Sequence, residues 1–290
     1  MEWLDQWNRA LDLLEEHLDR KPDLEAAARA AGCSSYHFQR MFSYLAGIPL
    51  SEYLRRRRMT LAAADLLAGR SVTDTALRYG YESPTAFNRA FQSVHGVSPS
   101  AAGRGDAALR AFPRISFQIT IKGEVAMEYR IVRREAFRIV GLKEPLEKEL
   151  EKNFEAVPHL WERVAATGAL EKLAARMDTE PKGILGVSAC SGGDDWAYYI
   201  SVASTLPLPQ DLPGVCEYTV PACTWAVFFG TGPMPGAITD LEKRAVTEWL
   251  PSSGYEYADA PDVEVYLSPD PANAVFEVWL PVRKKENAPL

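Results

Sequence analysis

The 290-residue sequence lacks a long hydrophobic run, and no stretch approaches the roughly 20 apolar residues that a transmembrane helix needs. It has only four cysteines, and they lack the CxxC or Cys/His spacing of a zinc site. Its N-terminus is acidic and amphipathic, unlike a secretory signal. These absences predict a cytoplasmic protein with no membrane partner, no disulfide and no metal.

The patterns of common catalytic sites are missing too. The sequence has no glycine-rich phosphate loop and no Ser/His/Asp spacing, and its four histidines (His17, His37, His95 and His159) are scattered. We therefore expect no catalytic residue, no cofactor and no enzyme activity.

The net charge of −7 conceals two parts of opposite sign. Residues 20–110 contain 13 Lys and Arg against 7 Asp and Glu, whereas residues 111–290 contain 18 against 26. A basic region attracts phosphates, so the first part is the candidate for binding a nucleic acid.

That basic region contains an internal repeat. Its first copy has Leu24, Ala28, Gly32, Phe38, Arg40, Phe42, Gly47 and Pro49. Its second copy has Val72, Ala76, Gly80, Phe87, Arg89, Phe91, Gly96 and Pro99. The offset is 48 residues up to the first glycine and 49 from Phe38 to Gly47, where Ser98-Pro99 of the second copy follows at the place of Pro49; this indicates two copies of one supersecondary unit.

Each copy predicts a helix, a short turn at glycine and a second helix. Ser34 or Ser35 in the first copy and Ser83 in the second suit the N-cap of the second helix, and Pro84 suits its first position. One such copy is equally consistent with an ordinary αα-hairpin, but two aligned copies favour the DNA-binding helix-turn-helix.

Polar residues recur on the outward side of each second helix. They are Tyr36, Gln39 and Arg40 in the first copy, and Thr85, Asn88 and Arg89 in the second. Arginine pairs bidentately with guanine, and glutamine or asparagine pairs with adenine, so we expect these residues to contact base edges.

A continuous helix is predicted from Leu50 to Leu67, between the two copies. We expect its buried side to be Leu54, Leu61, Ala64 and Leu67. Four arginines, Arg55 to Arg58, lie near its start, and we expect Arg55 and Arg56 to contact phosphates. We call the second helix of each copy its reader helix. A rigid helix between the copies would separate the two reader helices by about one turn of DNA, roughly 34 Å.

Residues 5–103 resemble the AraC/XylS family of transcriptional regulators. The resemblance rests on Ser35-Tyr36-His37-Phe38-Gln39-Arg40-Met41-Phe42, Gly47-Ile48-Pro49, Tyr53-Leu54-Arg55, Arg58-Met59, Ala76-Leu77-Arg78-Tyr79-Gly80-Tyr81, Phe87-Asn88-Arg89-Ala90-Phe91 and Gly96-Val97-Ser98-Pro99. It implies seven helices and one reader helix in each of two adjacent major grooves. Ala102 stands where the family usually has an aromatic residue, so the last helix is expected to be short or loosely docked.

From residue 115 onward the pattern changes to β-alternation. The pattern predicts a strand (127–142), a helix carrying Leu160 and Trp161, and strands at 184–189 and 196–203. The same order then recurs as a strand (216–230), a helix (238–250) and strands at 263–267 and 275–282. The pattern predicts two βαββ units whose sheets pair face to helix, with a groove between the units as the ligand site.

Residues 125–284 resemble the GyrI-like small-molecule-binding domain. The resemblance rests on Val140-Gly141, Trp161, Trp249-Leu250-Pro251, Gly254-Tyr255, Glu264-Val265-Tyr266 and Phe276-Glu277-Val278-Trp279-Leu280-Pro281-Val282. It implies sensing of lipophilic or cationic compounds by an acid in an aromatic pocket. That acid would be Glu277, with Trp161, Trp196, Tyr198 and Phe229 as walls. The alternatives are a solvent-facing Glu277 and aromatics that only pack the core, as we expect for Trp249.

The sequence thus predicts a multidomain protein: an all-α double helix-turn-helix domain (1–105), a linker (106–124) and an α+β GyrI-like domain (125–285). The helix-turn-helix units would span 20–47 and 70–97, joined by a helix at 50–68. We expect a cytoplasmic transcriptional regulator that binds promoter DNA, a small-molecule effector and RNA polymerase. A hydrolase or drug-sequestering module on a DNA-binding domain, and a DNA-bending architectural protein, are the alternatives.

Overall fold

The computed structural model describes residues 2–105, 107–117, 126–190, 195–268 and 270–285. The chain divides into two compact units: Met1–Ala31 with Phe42–Thr120, and Gly32–Met41 with Ile121–Leu290. The expected linker 106–124 lies partly outside the described residues, and the domain boundaries stay a prediction. None of the described helices is both long and apolar enough to span a membrane.

The described part of the first 105 residues is helical. Its helices are α1 (Glu2–Glu15), α2 (Leu24–Ala30), α3 (Ser35–Ala46), α4 (Leu50–Leu67), α5 (Val72–Arg78), α6 (Pro84–His95) and α7 (Pro99–Gly103). Helices α3 and α6 are the second helices of the two repeat copies. The predicted bounds of α4 agree with the structure.

The turns and caps follow the sequence signals. The Ser83 side chain accepts a hydrogen bond from the Ala86 N–H at the start of α6, and Pro84 occupies the first turn. Gly96 ends the helix with a φ of 79°. This left-handed conformation is accessible to glycine without the steric cost that a Cβ would add.

A hydrophobic core joins α4, α5, α6 and α7 within the first unit. It consists of Met59, Ala62, Ala63, Leu66, Ala76, Tyr79, Phe87, Phe91, Val94 and Ala102. Ala102 is fully buried, and α7 has only five residues, so the last helix is short as expected but is packed into the core.

The expected buried side of α4 was wrong in part. Leu54 is buried, but Leu61 is 37% exposed, Leu67 is 53% exposed and Ala64 is exposed. Apolar residues occupy more than one side of this helix, so periodicity alone does not choose between them. The side that contacts Phe87 and Phe91 of α6 is the buried one.

The second unit contains an antiparallel sheet and further helices. Its elements are β1 (Tyr129–Arg134), β2 (Phe137–Pro145), α8 (Asn153–Ala166), α9 (Ala169–Ala174), β3 (Ile184–Ala189), β4 (Ala197–Ala203), β5 (Val215–Val220), β6 (Cys223–Gly232), α10 (Gly236–Arg244), a π-helical segment (Ala245–Trp249), α11 (Leu250–Ser252), β7 (Tyr255–Tyr257), β8 (Asp262–Tyr266) and β9 (Ala274–Lys284). The sheet order is β1-β6-β9-β8-β3-β4-β2-β5, with β7 also paired to β9.

The repeated order of strand, helix, strand and strand is confirmed in outline, but the structure adds the helix α9 and the strand β7 and divides two of the predicted strands. The stretch 127–142 is not one strand, because β1 pairs with β6 whereas β2 pairs with β4 and β5. The stretch 216–230 is likewise divided into β5 and β6. The strand β1 of the first repeat pairs with β6 of the second, and β5 of the second pairs with β2 of the first. The described strands therefore form one continuous sheet, not the two separate sheets that were expected.

Register divides the sheet side chains between two faces, since neighbours along a strand point to opposite sides. Tyr198, Ile200 and Val202 pack with Leu160 and Val164 of α8, which defines the helix face. The opposite face carries a separate core that includes Leu185, Val187, Trp225, Val265 and Trp279.

Candidate functional site

The three outward residues of α3 are enclosed in the second unit. Tyr36 is 6% exposed, and its ring contacts Trp196 edge-on with centroids 5.4 Å apart. Gln39 is 4% exposed and donates from Nε2 to the backbone oxygen of Lys148 at 3.0 Å. The Arg40 side chain is 12% exposed and binds two carboxylates. All three side chains are therefore turned away from solvent.

The matching residues of α6 have the opposite environment. Thr85 and Arg89 are exposed, and Asn88 is half-buried. Phe87 and Phe91 on the other side of the same helix are fully buried. The second copy therefore presents its polar side to solvent, as a helix that enters a groove must do.

Arg55 and Arg56 share one acidic partner in their own helix. Arg55 Nη2 lies 2.6 Å from Glu52 Oε2, and Arg56 Nε lies 2.5 Å from Glu52 Oε1. Arg55 also donates to the Ser93 hydroxyl of α6 at 2.8 Å. Both guanidinium groups remain partly exposed, so a phosphate can reach them.

The next two arginines stabilise the first unit. Arg57 makes a bidentate pair with Glu15 and donates to the backbone oxygen of Phe112. Arg58 donates to the backbone oxygens of Leu18 and Arg20. Half of the arginine run therefore connects helices and loops.

An acid that is only partly accessible to solvent lies on the helix face of the sheet, on β8. Glu264 Oε2 accepts hydrogen bonds from the Tyr198 hydroxyl at 2.8 Å and the Tyr266 hydroxyl at 2.9 Å. Trp161 Nε1 donates to the Tyr198 oxygen at 3.1 Å, and its ring lies edge-on to Tyr266. Gly186 on β3 is next to this group, and its hydrogen atom leaves the room that the tyrosine and the carboxylate occupy. We call Trp161, Gly186, Tyr198, Glu264 and Tyr266 the Glu264 site.

The surroundings of Glu264 favour its neutral form. Burial raises the pKa of the Glu264 carboxyl to about 8, and repulsion from Glu242 on α10 adds to the increase. The tyrosine hydrogen bonds and the charge of Arg40 oppose it. Burial also holds the pKa of Tyr198 and Tyr266 well above the ordinary value, so both remain hydrogen-bond donors.

Two further carboxylates bind Arg40. Asp262 Oδ2 lies 2.8 Å from Nη1, and Glu242 Oε1 lies 2.5 Å from Nη2. His37 Nε2 lies 3.2 Å from the same Asp262 oxygen, and its ring stacks on Tyr257 with centroids 3.9 Å apart. Burial alone would raise the pKa of Asp262, but the charges and hydrogen bonds of His37 and Arg40 outweigh it and hold that pKa below its usual value.

Two family models match the chain. One, described as a GyrI-like small molecule binding domain, matches residues 127–283, and the other, a helix-turn-helix domain, matches residues 27–104. The chain belongs to the GyrI-like small-molecule-binding family. The GyrI-like match spans more than half of the chain and contains the whole Glu264 site.

Relatives of the helical part are transcription regulators of the AraC type. The chain is 36% identical to the Transposon Tn10 TetD protein of Escherichia coli over 88 residues, which are 30% of this chain and 64% of that protein. It is 34% identical to the Regulatory protein SoxS of Salmonella typhimurium over 91 residues, which are 31% of this chain and 85% of SoxS. The chain therefore also belongs to the AraC-type helix-turn-helix regulators.

Among solved structures, that of SAV2435 bound to tetraphenylphosphonium is similar. It has 22% sequence identity and a TM-score of 0.46, and the match covers 54% of this chain and 94% of that one.

Within the GyrI-like domain, Glu277 and Phe229 lie away from the Glu264 site. Glu277 is opposite Val265 and Phe229 in register, which places it on the opposite face from Glu264. Its carboxylate accepts from Trp279 Nε1 at 2.8 Å and pairs with Arg130 at 2.6 Å. Arg130 therefore balances the Glu277 charge, and Phe229 is 47% exposed.

The other aromatic residues expected at the ligand site divide into two groups. Trp161 and Tyr198 meet at Glu264. Trp196 instead contacts Tyr36, and the Lys148 ammonium lies 4.8 Å from its ring centroid. Trp249 packs against Phe228 and Tyr255, which agrees with its expected place in the core.

Sequence reasoning did not single out the acids of the helix face. Asp262, Glu264 and Tyr266 alternate with Val263 and Val265, so a strand places the three polar residues on one face. This alternation was the available signal, and the Glu264-Val265-Tyr266 motif was already visible. Glu242 carries no such signal, because an acid on an amphipathic helix is usually exposed. Among the described residues, no cluster of His, Cys, Asp and Glu could hold a metal ion.

Proposed function

We propose that this chain reads promoter DNA through its two helix-turn-helix copies and binds a lipophilic cation at the Glu264 site, which changes its affinity for DNA. The observation that carries the proposal is the carboxyl of Glu264, which lies among three aromatic side chains, Trp161, Tyr198 and Tyr266. Glu264 and Tyr266 remain partly accessible to solvent.

The chemistry of this group suits a cation with an apolar surface. Aromatic rings attract positive charge through their electron-rich faces, and more strongly when water is excluded. A carboxylate in a medium of low dielectric attracts a nearby cation more strongly than it would in water. An apolar ligand body would gain from leaving water, whereas a small hydrated cation would lose its hydration.

Replacing the acid tests the site. We expect Glu264→Gln to lower the affinity for tetraphenylphosphonium at pH 7.5 at least about tenfold, because the amide keeps the shape but cannot carry charge. Isothermal titration calorimetry on the full chain measures this affinity.

Glu277→Gln is the matched control, since it removes an acid on the opposite face. Glu277 was the acid expected from sequence resemblance, and that expectation stays a prediction. If Glu277→Gln abolishes binding and Glu264→Gln does not, the ligand site is at Glu277 and the assignment to Glu264 is wrong.

We expect two kinds of DNA contact, one from Arg89 to a base and one from Arg56 to a phosphate. We expect Arg89→Ala to cost about 1–3 kcal/mol on the specific site and little on random DNA, because a guanine contact carries sequence information. Arg56→Ala should weaken binding to both DNAs and reduce the salt dependence, because a phosphate contact releases counterions. Fluorescence anisotropy at several salt concentrations distinguishes the two. Equal losses on both DNAs for Arg89→Ala would contradict the base contact.

We propose a sensor rather than an enzyme. The support is the attached helix-turn-helix part, whose relatives include the Regulatory protein SoxS. Rhodamine 6G is a lipophilic cation that carries an ester, so it probes both activities. A sensor binds it and leaves it intact by mass spectrometry, whereas Glu264-dependent cleavage of the ester identifies a hydrolase.

We also propose that this regulator acts in the cytoplasm and contacts RNA polymerase. Leu67 on α4 and Leu77 on α5 are large apolar side chains that are more than half exposed, and a polymerase contact would cover them. In vitro transcription with purified polymerase tests whether Leu67→Ser and Leu77→Ser reduce activation while DNA binding is kept.

A further inference from the structure

The two copies of the reader motif differ in what their arginines bind. Arg40 and Arg89 occupy equivalent positions, yet Arg89 is exposed and the Arg40 guanidinium is held by Glu242 and Asp262. Tyr36 and Gln39 are buried beside Arg40. The difference therefore comes from the partner residues rather than from the repeat itself.

We propose that Glu242 and Asp262 form a carboxylate clamp that holds Arg40 and keeps the first reader from DNA until the clamp opens. The clamp is a set of acceptors for the same guanidinium donors that a guanine edge would use. Arg40 cannot bind both at once, because Nη1 is committed to Asp262 at 2.8 Å and Nη2 to Glu242 at 2.5 Å.

The contacts around Arg40 strengthen the clamp. His37 binds the same Asp262 oxygen and stacks on Tyr257, while Tyr36 packs against Trp196. A closed clamp therefore holds one side of the first turns of α3, including every residue of the first copy that is expected to contact bases.

The clamp is not fully satisfied, which makes opening less costly. Asp262 is 3% exposed, and its Oδ1 has no hydrogen-bond partner among the described residues. A buried acceptor without a donor costs free energy that exposure to water would recover. Opening the clamp thus returns part of the free energy that breaking the Arg40 contacts consumes.

The clamp shares its charges with the Glu264 site, and in this respect the inference rests on the proposed function. Asp262 and Glu264 lie on the same face of β8, two residues apart. Glu242 acts on both groups, since it binds Arg40 and repels Glu264. A cation beside Glu264 is therefore attracted by the charge of Glu242 and repels the Arg40 guanidinium that Glu242 binds. Binding of the cation thus favours an open clamp.

The test removes the clamp charges and measures DNA affinity without effector. The probe is the duplex that Glu242→Gln/Asp262→Asn enriches from a randomised pool, measured by fluorescence anisotropy on the full chain. We expect this double variant to bind at least tenfold more tightly than the unaltered chain. Adding Arg40→Ala to it should remove the gain, because the released guanidinium is what contacts DNA.

The matched control removes two other acidic charges. Glu144 and Glu248 make ion pairs with Arg163 and Arg244 at the surface, so Glu144→Gln/Glu248→Gln changes the net charge equally. We expect less than a twofold change in this control. Equal gains in control and clamp variants, or no gain in a folded clamp variant, overturn the proposal.

A second variant decides the matter if the clamp variant does not fold. Trp196→Leu removes the edge contact to Tyr36 and leaves both carboxylates, and we expect about threefold tighter DNA binding. An unchanged or weaker affinity in this folded variant overturns the clamp. Tetraphenylphosphonium binding is measured on the same samples. If the DNA measurements reject the clamp but the cation still binds in a Glu264-dependent way, the proposed function stands and only the clamp fails.

Discussion

The affinity of this protein for tetraphenylphosphonium should rise at least about tenfold between pH 6 and pH 9. The ligand keeps its charge throughout this range, so the protein supplies the titrating group. Burial raises the pKa of Glu264 to about 8. Below that pH the Glu264 carboxyl must lose its proton before the carboxylate can attract the cation. This requirement lowers the affinity about tenfold for each pH unit. Above it the affinity should level off.

Calorimetry on the full chain at pH 6, 7, 8 and 9 measures this profile. The hydroxyls of Tyr198 and Tyr266 do not titrate in this range, because burial holds each pKa well above its ordinary value. Glu264→Gln should bind weakly at every pH with a flat profile, and Glu277→Gln should keep the rise. A flat profile for the unaltered chain would show that Glu264 is not the acid at the ligand.

The stability of the protein should respond to the same group in the opposite direction. A folded state that holds the Glu264 proton up to about pH 8 binds more protons than the unfolded chain between the ordinary glutamate pKa and that pH. The contribution of Glu264 to the free energy of unfolding therefore falls as pH rises through this window. On the proposed function, tetraphenylphosphonium should offset part of that fall, because a ligand that binds only the folded state stabilises it.

Gly186→Ala should remove most cation binding, with at least about a tenfold loss of affinity at pH 8 from displaced site residues. A Cβ at this position would lie within 2.5 Å of both the Tyr198 hydroxyl oxygen (2.2 Å) and Glu264 Oε2 (2.4 Å). Both atoms must move, and their hydrogen bond is the centre of the Glu264 site. The backbone of Gly186 is not in the left-handed region, so the effect comes from the added methyl rather than from backbone strain.

Overpacking of this kind costs about 1–3 kcal/mol of stability, which thermal unfolding would detect. Gly236→Ala is the matched control, because nothing lies within 4 Å of a Cβ there. It should change the cation affinity less than twofold. An unaltered affinity in a folded Gly186→Ala variant would mean that the ligand does not depend on the arrangement of Tyr198 and Glu264.

The features predicted well from the sequence are those set by neighbours along the chain. The bounds of α4, the Ser83 cap with Pro84 and the left-handed Gly96 all follow from local preferences. The repeat added the two reader helices, because a motif that occurs twice at one spacing is difficult to obtain by chance. The families of both parts were visible from short strings of residues, such as Glu264-Val265-Tyr266 in the second part.

What the sequence could not show depends on residues distant along the chain. The repeat places Arg40 and Arg89 on equivalent helix sides, but the partners of Arg40 are 202 and 222 residues away. Likewise, Leu61 and Leu67 fit a helical stripe, but the packing of α6 chooses another side of α4. Glu277 lies on a largely apolar strand and Glu264 on one that alternates polar and apolar residues, and only register shows which acid faces Tyr198.

The most direct test is the DNA affinity of the full chain with and without saturating tetraphenylphosphonium. Because linkage is reciprocal, a ligand that favours the DNA-reading form must itself bind more tightly when DNA is present. We predict that the cation raises DNA affinity at least about fivefold, a typical lower value for coupled sites, and that Glu264→Gln removes the effect. An unchanged DNA affinity in the unaltered chain, or an equal change in Glu264→Gln, would contradict a regulator controlled through Glu264.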